Sequence, residues 1–527
     1  RVVAVEDLGK LRDALGIAPP PDVPQAFLEP VEDAIAAVIA RYARTHAPFT
    51  VSEAARRFGL GDSVALAALE RLARDGRVLE GEFRPTGRGR EWCDAGVLQT
   101  LRRRSLAALR KEVEPAEPTA FQRLLLDWQG VSGAAISSLE GPDALLDAIE
   151  SLQGVAIPAS VLESDVLPAR VPGYRPGDLD ALCGTGEVVW LGVSPLGERD
   201  GRVALYLAED LPLLFEASAE RPDGELHDRI RAFLERRGAS FFPDVHAGAG
   251  GGLVRDTLDA LWDLVWAGEV ANDSPAALRA FLWRHARRGR RRRLPLSAFR
   301  SRREAPGASV GRWSRVVPSD RTPTQRLHAR AEQLLSRYGV LTRDAVAADN
   351  MPGGFASVYP VLTALEEAGR IRRGYFIAGQ GGSQFAHPGA LERLRSLREA
   401  PAEPEAAVLA ATDPASAHGA ALAWPEAART RLGRLAGAHV VLVDGALALY
   451  LSRGEGEISM FLPDEEPARS RVARAAATAL AGWARRTGRS FFGETTADGQ
   501  PLIASPLALH LAAAGFAPAG SGFRVLA

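Results

Sequence analysis

The densest concentration of chemistry-bearing side chains in this 527-residue sequence lies between Trp283 and Arg303. Arg284, Arg287, Arg288, Arg290, Arg291, Arg292 and Arg293 follow the tryptophan, Arg300, Arg302 and Arg303 extend the run, and the first acid is Glu304. Guanidinium groups grip phosphate in a planar fork, and an aromatic ring offers a face on which a base can stack. Together they describe a surface for a single strand or a duplex backbone, the other reading being a solvated interdomain linker. Arg102, Arg103 and Arg104, with Arg110 and Lys111, form a second basic cluster. Familiar catalytic spacings are missing. No G-x-x-x-x-G-K-[ST] phosphate loop occurs, Gly250-Gly251-Gly252 does not complete a G-x-G-x-x-G, and no G-x-S-x-G elbow appears. Nine histidines are scattered without ligand spacing, so neither a metal site nor a cofactor is expected.

The net charge of −1 excludes a uniformly basic coat, so contact with nucleic acid has to be local. Cys93 and Cys183 cannot build a disulfide framework and are expected in cores, in a reducing cytoplasm. No run of about 18 apolar residues is present, so no membrane span is expected. The chain opens on Arg1 without Met or a signal pattern and reads as a piece of something longer.

The elements that must position these groups announce themselves through a repeat. Gly76-Arg77-Val78, Gly186-Glu187-Val188, Gly268-Glu269-Val270 and Gly369-Arg370-Ile371 share one pattern, with leucines four and seven positions before each glycine. Leucines three apart bury one face of a helix, glycine supplies a left-handed cap, and a β-branched residue starts a strand. That is the passage from the third helix of a winged-helix module into its wing. The spacings between copies are unequal, which describes a string of domains rather than a solenoid. After 401–404 the texture becomes β-rich, with Asp444-Gly445 between two apolar runs as a hairpin turn. The expected fold class is α+β: tandem winged-helix modules followed by a small β-barrel-like domain with helices. The expected division is a first module over 1–95, a helical connector over 96–155 and divergent modules over 156–215 and 216–282. A basic linker over 283–320, a fourth module over 321–400 and the C-terminal domain over 401–527 complete it.

Charge sorts the modules. The first carries Arg71 and Arg74 beside its core leucines and Arg84, Arg88 and Arg90 on its wing, and the fourth carries Arg372 and Arg373. These are the expected nucleic-acid contacts. The third helices of the second and third modules carry Asp178 and Asp180, and Asp256, Asp259 and Asp263. Phosphate would repel them, which leaves spacer or protein-contact roles. Trp262 and Trp266 make the third module a candidate subunit interface.

The assembled chain resembles the region after the helicase core of the Lhr (large helicase-related) proteins, bacterial superfamily-two DNA helicases. The resemblance runs through Pro352-Gly-Gly-Phe-Ala-Ser-Val-Tyr359, Glu366-Glu-Ala-Gly-Arg-Ile-Arg-Arg-Gly-Tyr-Phe376 and Ser383-Gln-Phe-Ala-His-Pro-Gly-Ala-Leu391. Shorter stretches, among them Gly311-Arg-Trp-Ser314 and Asp413-Pro-Ala-Ser-Ala-His-Gly419, support it, and the arginine usage fits a high-GC bacterium. It implies a parent that hydrolyses ATP with Mg²⁺ in an upstream motor and moves 3′ to 5′ on single-stranded DNA. That parent would unwind duplexes and RNA–DNA hybrids in repair, with this stretch contacting nucleic acid or assembling as a homo-oligomer. Tandem winged helices before a β-barrel also resemble the AlkZ/YcaQ DNA glycosylases, which implies excision of uracil or an alkylated base. The Gln-x-Gln motif of those enzymes is missing; Gln380 and Gln384 stand further apart. Under that alternative Asp413 activates water or stabilises the cationic sugar, with Gln384 as polar helper. A third alternative is a purely structural oligomerisation module.

Overall fold

A computed structural model describes residues 3–46, 48–84, 89–111, 115–132, 140–216, 220–286, 307–317, 319–426, 431–489, 491–492, 496–520 and 522–525. The chain divides into two compact bodies, Arg1–Glu112 and Val113–Ala527.

The first body is built on helices Ala34–Thr45, Val51–Phe58 and Asp62–Arg74 and on a three-stranded sheet of Phe49–Thr50, Glu91–Asp94 and Val78–Gly81. Thr50 caps the second helix: its hydroxyl accepts from the Glu53 amide, and the Glu53 carboxylate accepts from the Thr50 amide. Helix Ala95–Lys111 follows the last strand and exposes Arg102, Arg103 and Arg104.

Three further modules of the same order lie in the second body. Their third helices are Pro176–Thr185, Val254–Trp266 and Gly354–Glu367, and in each sheet the last strand pairs between the first and the second. The four glycines stand at φ of 69°, 83°, 71° and 76°. In every copy the glycine amide donates to the carbonyl three residues back, and the next amide donates to the leucine carbonyl five back. Gly76 to Ala73 at 2.9 Å and Arg77 to Leu72 at 2.9 Å exemplify the pair. This double bond satisfies carbonyls that the helix end would leave open. The eight leucines and the four following Val or Ile residues are all buried.

Pairing distant in sequence redraws the expected boundaries. Arg312–Arg315 bonds to both Ser240–Phe241 and Val270–Asn272, which makes it the return strand of the third wing. Helix Pro275–Ala286 and the arginine run are therefore an insertion between two wing strands, not a linker between modules. Within the expected connector, Gly141–Leu152 is the opening helix of the second module, packed on Gly201–Leu207 and Pro176–Thr185. Pro118–Trp128 buries Phe121, Leu124 and Leu125 in the core of the fourth module.

The second and third modules share one core. Trp262 and Trp266 are buried, with Trp262 stacked toward Trp190 of the second wing at 6.2 Å and against Phe281 at 4.5 Å. The tryptophans expected at a subunit interface are thus spent inside the chain. Gly192 shows how close the modules come, since a Cβ there would overlap the Val265 carbonyl.

The C-terminal domain follows the sequence closely at its hairpin, His439–Val443 and Ala446–Leu451, with Asp444 and Gly445 at φ of 50° and 80°. Its main sheet has six strands in the order 406–410, 439–443, 446–451, 457–460, 496–497 and 500–501, covered by helix Ala468–Thr487. Among the described residues the two end strands of this sheet are open edges, and no closed barrel is formed by these strands alone. No helix among the described residues is long and apolar enough to cross a membrane.

Candidate nucleic-acid interface

The expected phosphate-binding arginines divide by what already holds them. Arg84 is clamped: its guanidinium bonds Glu91, whose side chain is only 2% exposed, and reaches Glu53 at 3.3 Å. Glu91 also accepts from the Phe83 and Arg84 amides at 2.8 and 2.9 Å. These hydrogen bonds raise the Arg84 pKa and hold Glu91 below the usual carboxylate range. Arg84 is thus a wing brace rather than a free cation. Arg71 pairs with Asp33 at 2.6 Å and Arg90 with Glu80 at 2.6 Å, both staying more than half exposed. Arg373 donates to the Tyr359 hydroxyl at 2.9 Å and faces Glu366. Arg74 and Arg372 are exposed and meet no carboxylate among the described residues. Trp283 is 69% exposed at the end of its helix. The Arg284 side chain and Arg88, Arg287, Arg288, Arg290, Arg291, Arg292 and Arg293 lie outside the described residues.

Three of the five acids of the central modules have partners within the chain. Asp180 bonds Arg279 of helix Pro275–Ala286 at 2.9 Å, and Arg279 also clasps Glu163 at 2.7 Å. That helix packs on Pro176–Thr185, so part of the third helix of the second module is covered. Asp263 meets His227 at 3.1 Å and Asp259 meets Arg255 at 3.3 Å.

The two residues weighed for catalysis are structural. Asp413 is wholly buried; both its oxygens bond Arg170, and one also accepts from the Ala415 amide at 2.8 Å. Arg170 in turn donates to Gln129 at 2.8 Å. A carboxylate so committed has no face left for water. Gln384 is also fully buried, accepting from the Phe376 and Ile377 amides and donating to the Ile377 carbonyl. It shapes the wing of the fourth module.

Chemistry that the sequence reading missed gathers where the second, third and fourth modules meet the C-terminal domain. A cavity of about 730 Å³ is lined by Tyr206, Phe215, Arg330 and Met351, among others. A smaller one of about 250 Å³ is lined by Thr412, Pro414 and Arg434. Ala156, Arg202, Asp349 and Asn350 border both. Asp413 stands between two lining residues, yet its carboxylate is held by Arg170. Burial lowers the Arg434 pKa, and its guanidinium is spent on the carbonyls of Thr412, Asp413, Ser416 and His418. Arg330 is neutralised by Glu216 at 2.5 Å. Asp349 is bonded by Arg337, and Asn350 sits at φ of 51°, a region non-glycine residues seldom enter. The available signal was the Asn350 position itself, a turn-favouring residue just before Met-Pro-Gly-Gly. Among the described residues no group of three or more His, Cys, Asp or Glu is placed to hold a metal.

Family models for winged-helix domains cover the stretches that hold the second and fourth modules. Models described as "Large helicase-related protein, winged-helix domain" match residues 1–30, 116–208 and 320–406. The "Lhr helicase/ probable uracil glycosylase" of Mycolicibacterium smegmatis is 46% identical over 494 residues, 90% of this chain and 32% of that protein. The "Lhr helicase/uracil glycosylase" of Escherichia coli K12 is 35% identical over 560 residues, 99% of this chain and 35% of that protein. The chain thus spans about a third of the length of these curated relatives. On its winged-helix modules and these identities, the chain belongs to the Lhr (large helicase-related) family, as a stretch of its C-terminal region.

Proposed function

We propose that this chain is the accessory region through which an Lhr helicase engages nucleic acid during DNA repair. It binds single-stranded DNA or an RNA–DNA hybrid and associates with further copies of itself. ATP and Mg²⁺ act in the motor of the parent protein. The observation that supports this best is the placement of basic groups on winged-helix modules. Arg74 and Arg372 stand free of described acids, and the arginine run occupies the connection between the third module's wing strands. Fluorescence anisotropy with a single strand, a duplex and a hybrid tests it. Affinity should fall by at least about 10³-fold between roughly 50 and 200 mM salt if six or more phosphates are engaged. Absent or salt-independent binding would end the proposal. Sedimentation that returns only the 56.2 kDa monomer at every concentration would remove the self-association.

A second reading is uracil excision. It is favoured by the names of both relatives and by a cavity of about 730 Å³, within the roughly 300–1,000 Å³ typical of small-ligand sites. Incubating the chain with a single-uracil oligonucleotide, followed by alkali, tests it by strand cleavage.

A further inference from the structure

We propose that the waist between the two cavities holds one nucleotide turned out of a DNA strand, with Asp349 directing water at its sugar. This rests on the uracil-excision reading. Four groups border both cavities, and three of them suit a nucleotide. Arg202, half-buried on the return strand of the second wing, has no carboxylate partner among the described residues and offers a guanidinium to a phosphate. Asn350 is exposed and held at φ of 51° by the loop between the second and third helices of the fourth module. Such strain persists only where the surrounding fold imposes it, and it is found disproportionately at ligand sites. Its amide presents one donor and one acceptor, which matches the N3–H and O4 edge of uracil. The larger cavity adds Tyr206 and Phe215, packed edge to face at 5.9 Å, as an apolar wall for a base.

Asp349 differs from Asp413 in the respect that matters for hydrolysis. Its side chain is 11% exposed and borders both cavities, while Arg337, itself 4% exposed, fixes one oxygen. Arg337 is anchored by donating to the carbonyls of Ser151 and Gln153. Arg337 thus holds one oxygen and the Tyr338 hydroxyl also bonds the carboxylate, while the group as a whole still borders open space. In the step proposed, the bond between C1′ and uracil N1 breaks and its electron pair leaves on the base. The water oxygen bonds to C1′, its proton passes to Asp349, and that proton then goes to the departing uracil anion. The products are free uracil and an abasic sugar. No oxidant or metal is required.

The test uses the whole chain and a single-stranded oligonucleotide carrying one uracil, read by alkali cleavage, with oligonucleotide binding and thermal melting measured in parallel. Asp349→Asn should lower uracil release by about 10²-fold or more, the low end for a general base, with binding retained. Should that variant melt early, Asn350→Ala and Arg202→Gln carry the test, since neither side chain has a charged partner among the described residues. Asn350→Ala should slow release by about tenfold, and Arg202→Gln should weaken binding to the oligonucleotide. If the parent chain releases uracil and folded Asp349→Asn and Asn350→Ala do so equally well, the site is wrong and excision resides elsewhere. If the parent chain releases none, the excision reading falls and this assignment falls with it.

Discussion

Arg170 and Asp413 meet in a two-point ion pair at 2.7 and 2.8 Å, with 1% and 0% of their side chains exposed. The pair ties the second module to the loop that enters the C-terminal domain. Gln122 joins the same loop, donating to the Ala415 carbonyl and accepting from the Ala417 amide, both at 2.7 Å.

Removing one partner of such a pair strands a charge where water cannot reach it. Asp413→Asn should therefore destabilise the second body by about 3–5 kcal/mol, measured by urea denaturation. Replacing both residues, Arg170→Met with Asp413→Leu, should recover much of that loss. A single variant costing under about 1 kcal/mol would deny the pair its structural role. Any loss of uracil release in Asp413→Asn is expected to follow its unfolding curve.

Glu269 follows the glycine of the third module and gives that module an acid sensitivity. Burial works against its charge, but Arg231 at 2.7 and 2.8 Å and Arg221 at 3.2 Å outweigh it and hold the carboxyl at about 2, against an ordinary 4.5. The folded value lies below the unfolded one. The associated stability is thus complete above about pH 4.5 and drains away as pH falls toward 2. Glu269→Gln should flatten the urea midpoint between pH 5 and 2 relative to the parent chain; an unchanged slope would contradict this.

Two glycines separate packing from backbone demands. At Gly201 a Cβ would run into the Trp266 ring, whereas at Gly76 it would meet nothing within 4 Å and only φ of 69° resists it. Gly201→Ala should cost about 1–3 kcal/mol by overpacking and change tryptophan fluorescence. Gly76→Ala should cost about 1–2 kcal/mol with that fluorescence unmoved.

Free and clamped arginines should respond differently to substitution. Arg372→Glu should weaken DNA binding and lower the salt slope by about one phosphate. Arg84→Ala should leave the slope nearly as it was and loosen the first wing, because that guanidinium already serves Glu91 and Glu53. Anisotropy titrations over a salt series distinguish the two. Equal slopes for Arg372→Glu and the parent chain would remove Arg372 from the interface.

What the sequence determined alone was local. Leucine spacing, a glycine at the helix end and a β-branched successor specify a capped junction through bonds spanning five residues, and all four copies formed it. The Asp444-Gly445 hairpin was legible for the same reason, since its turn needs only two residues at positive φ. Partnerships between residues far apart in sequence were decided by tertiary structure. Arg312–Arg315 became a wing strand because Ser240–Phe241 and Val270–Asn272 offered it edges, and Trp262 turned inward because Trp190 stood opposite. Asp413 looked available in a Thr-Asp-Pro string, yet a guanidinium from Arg170 claimed it. Nothing in the sequence marks Asp349, because an isolated Asp-Asn pair carries no spacing signal. Its place between two cavities exists only once three modules and a sheet have packed around it.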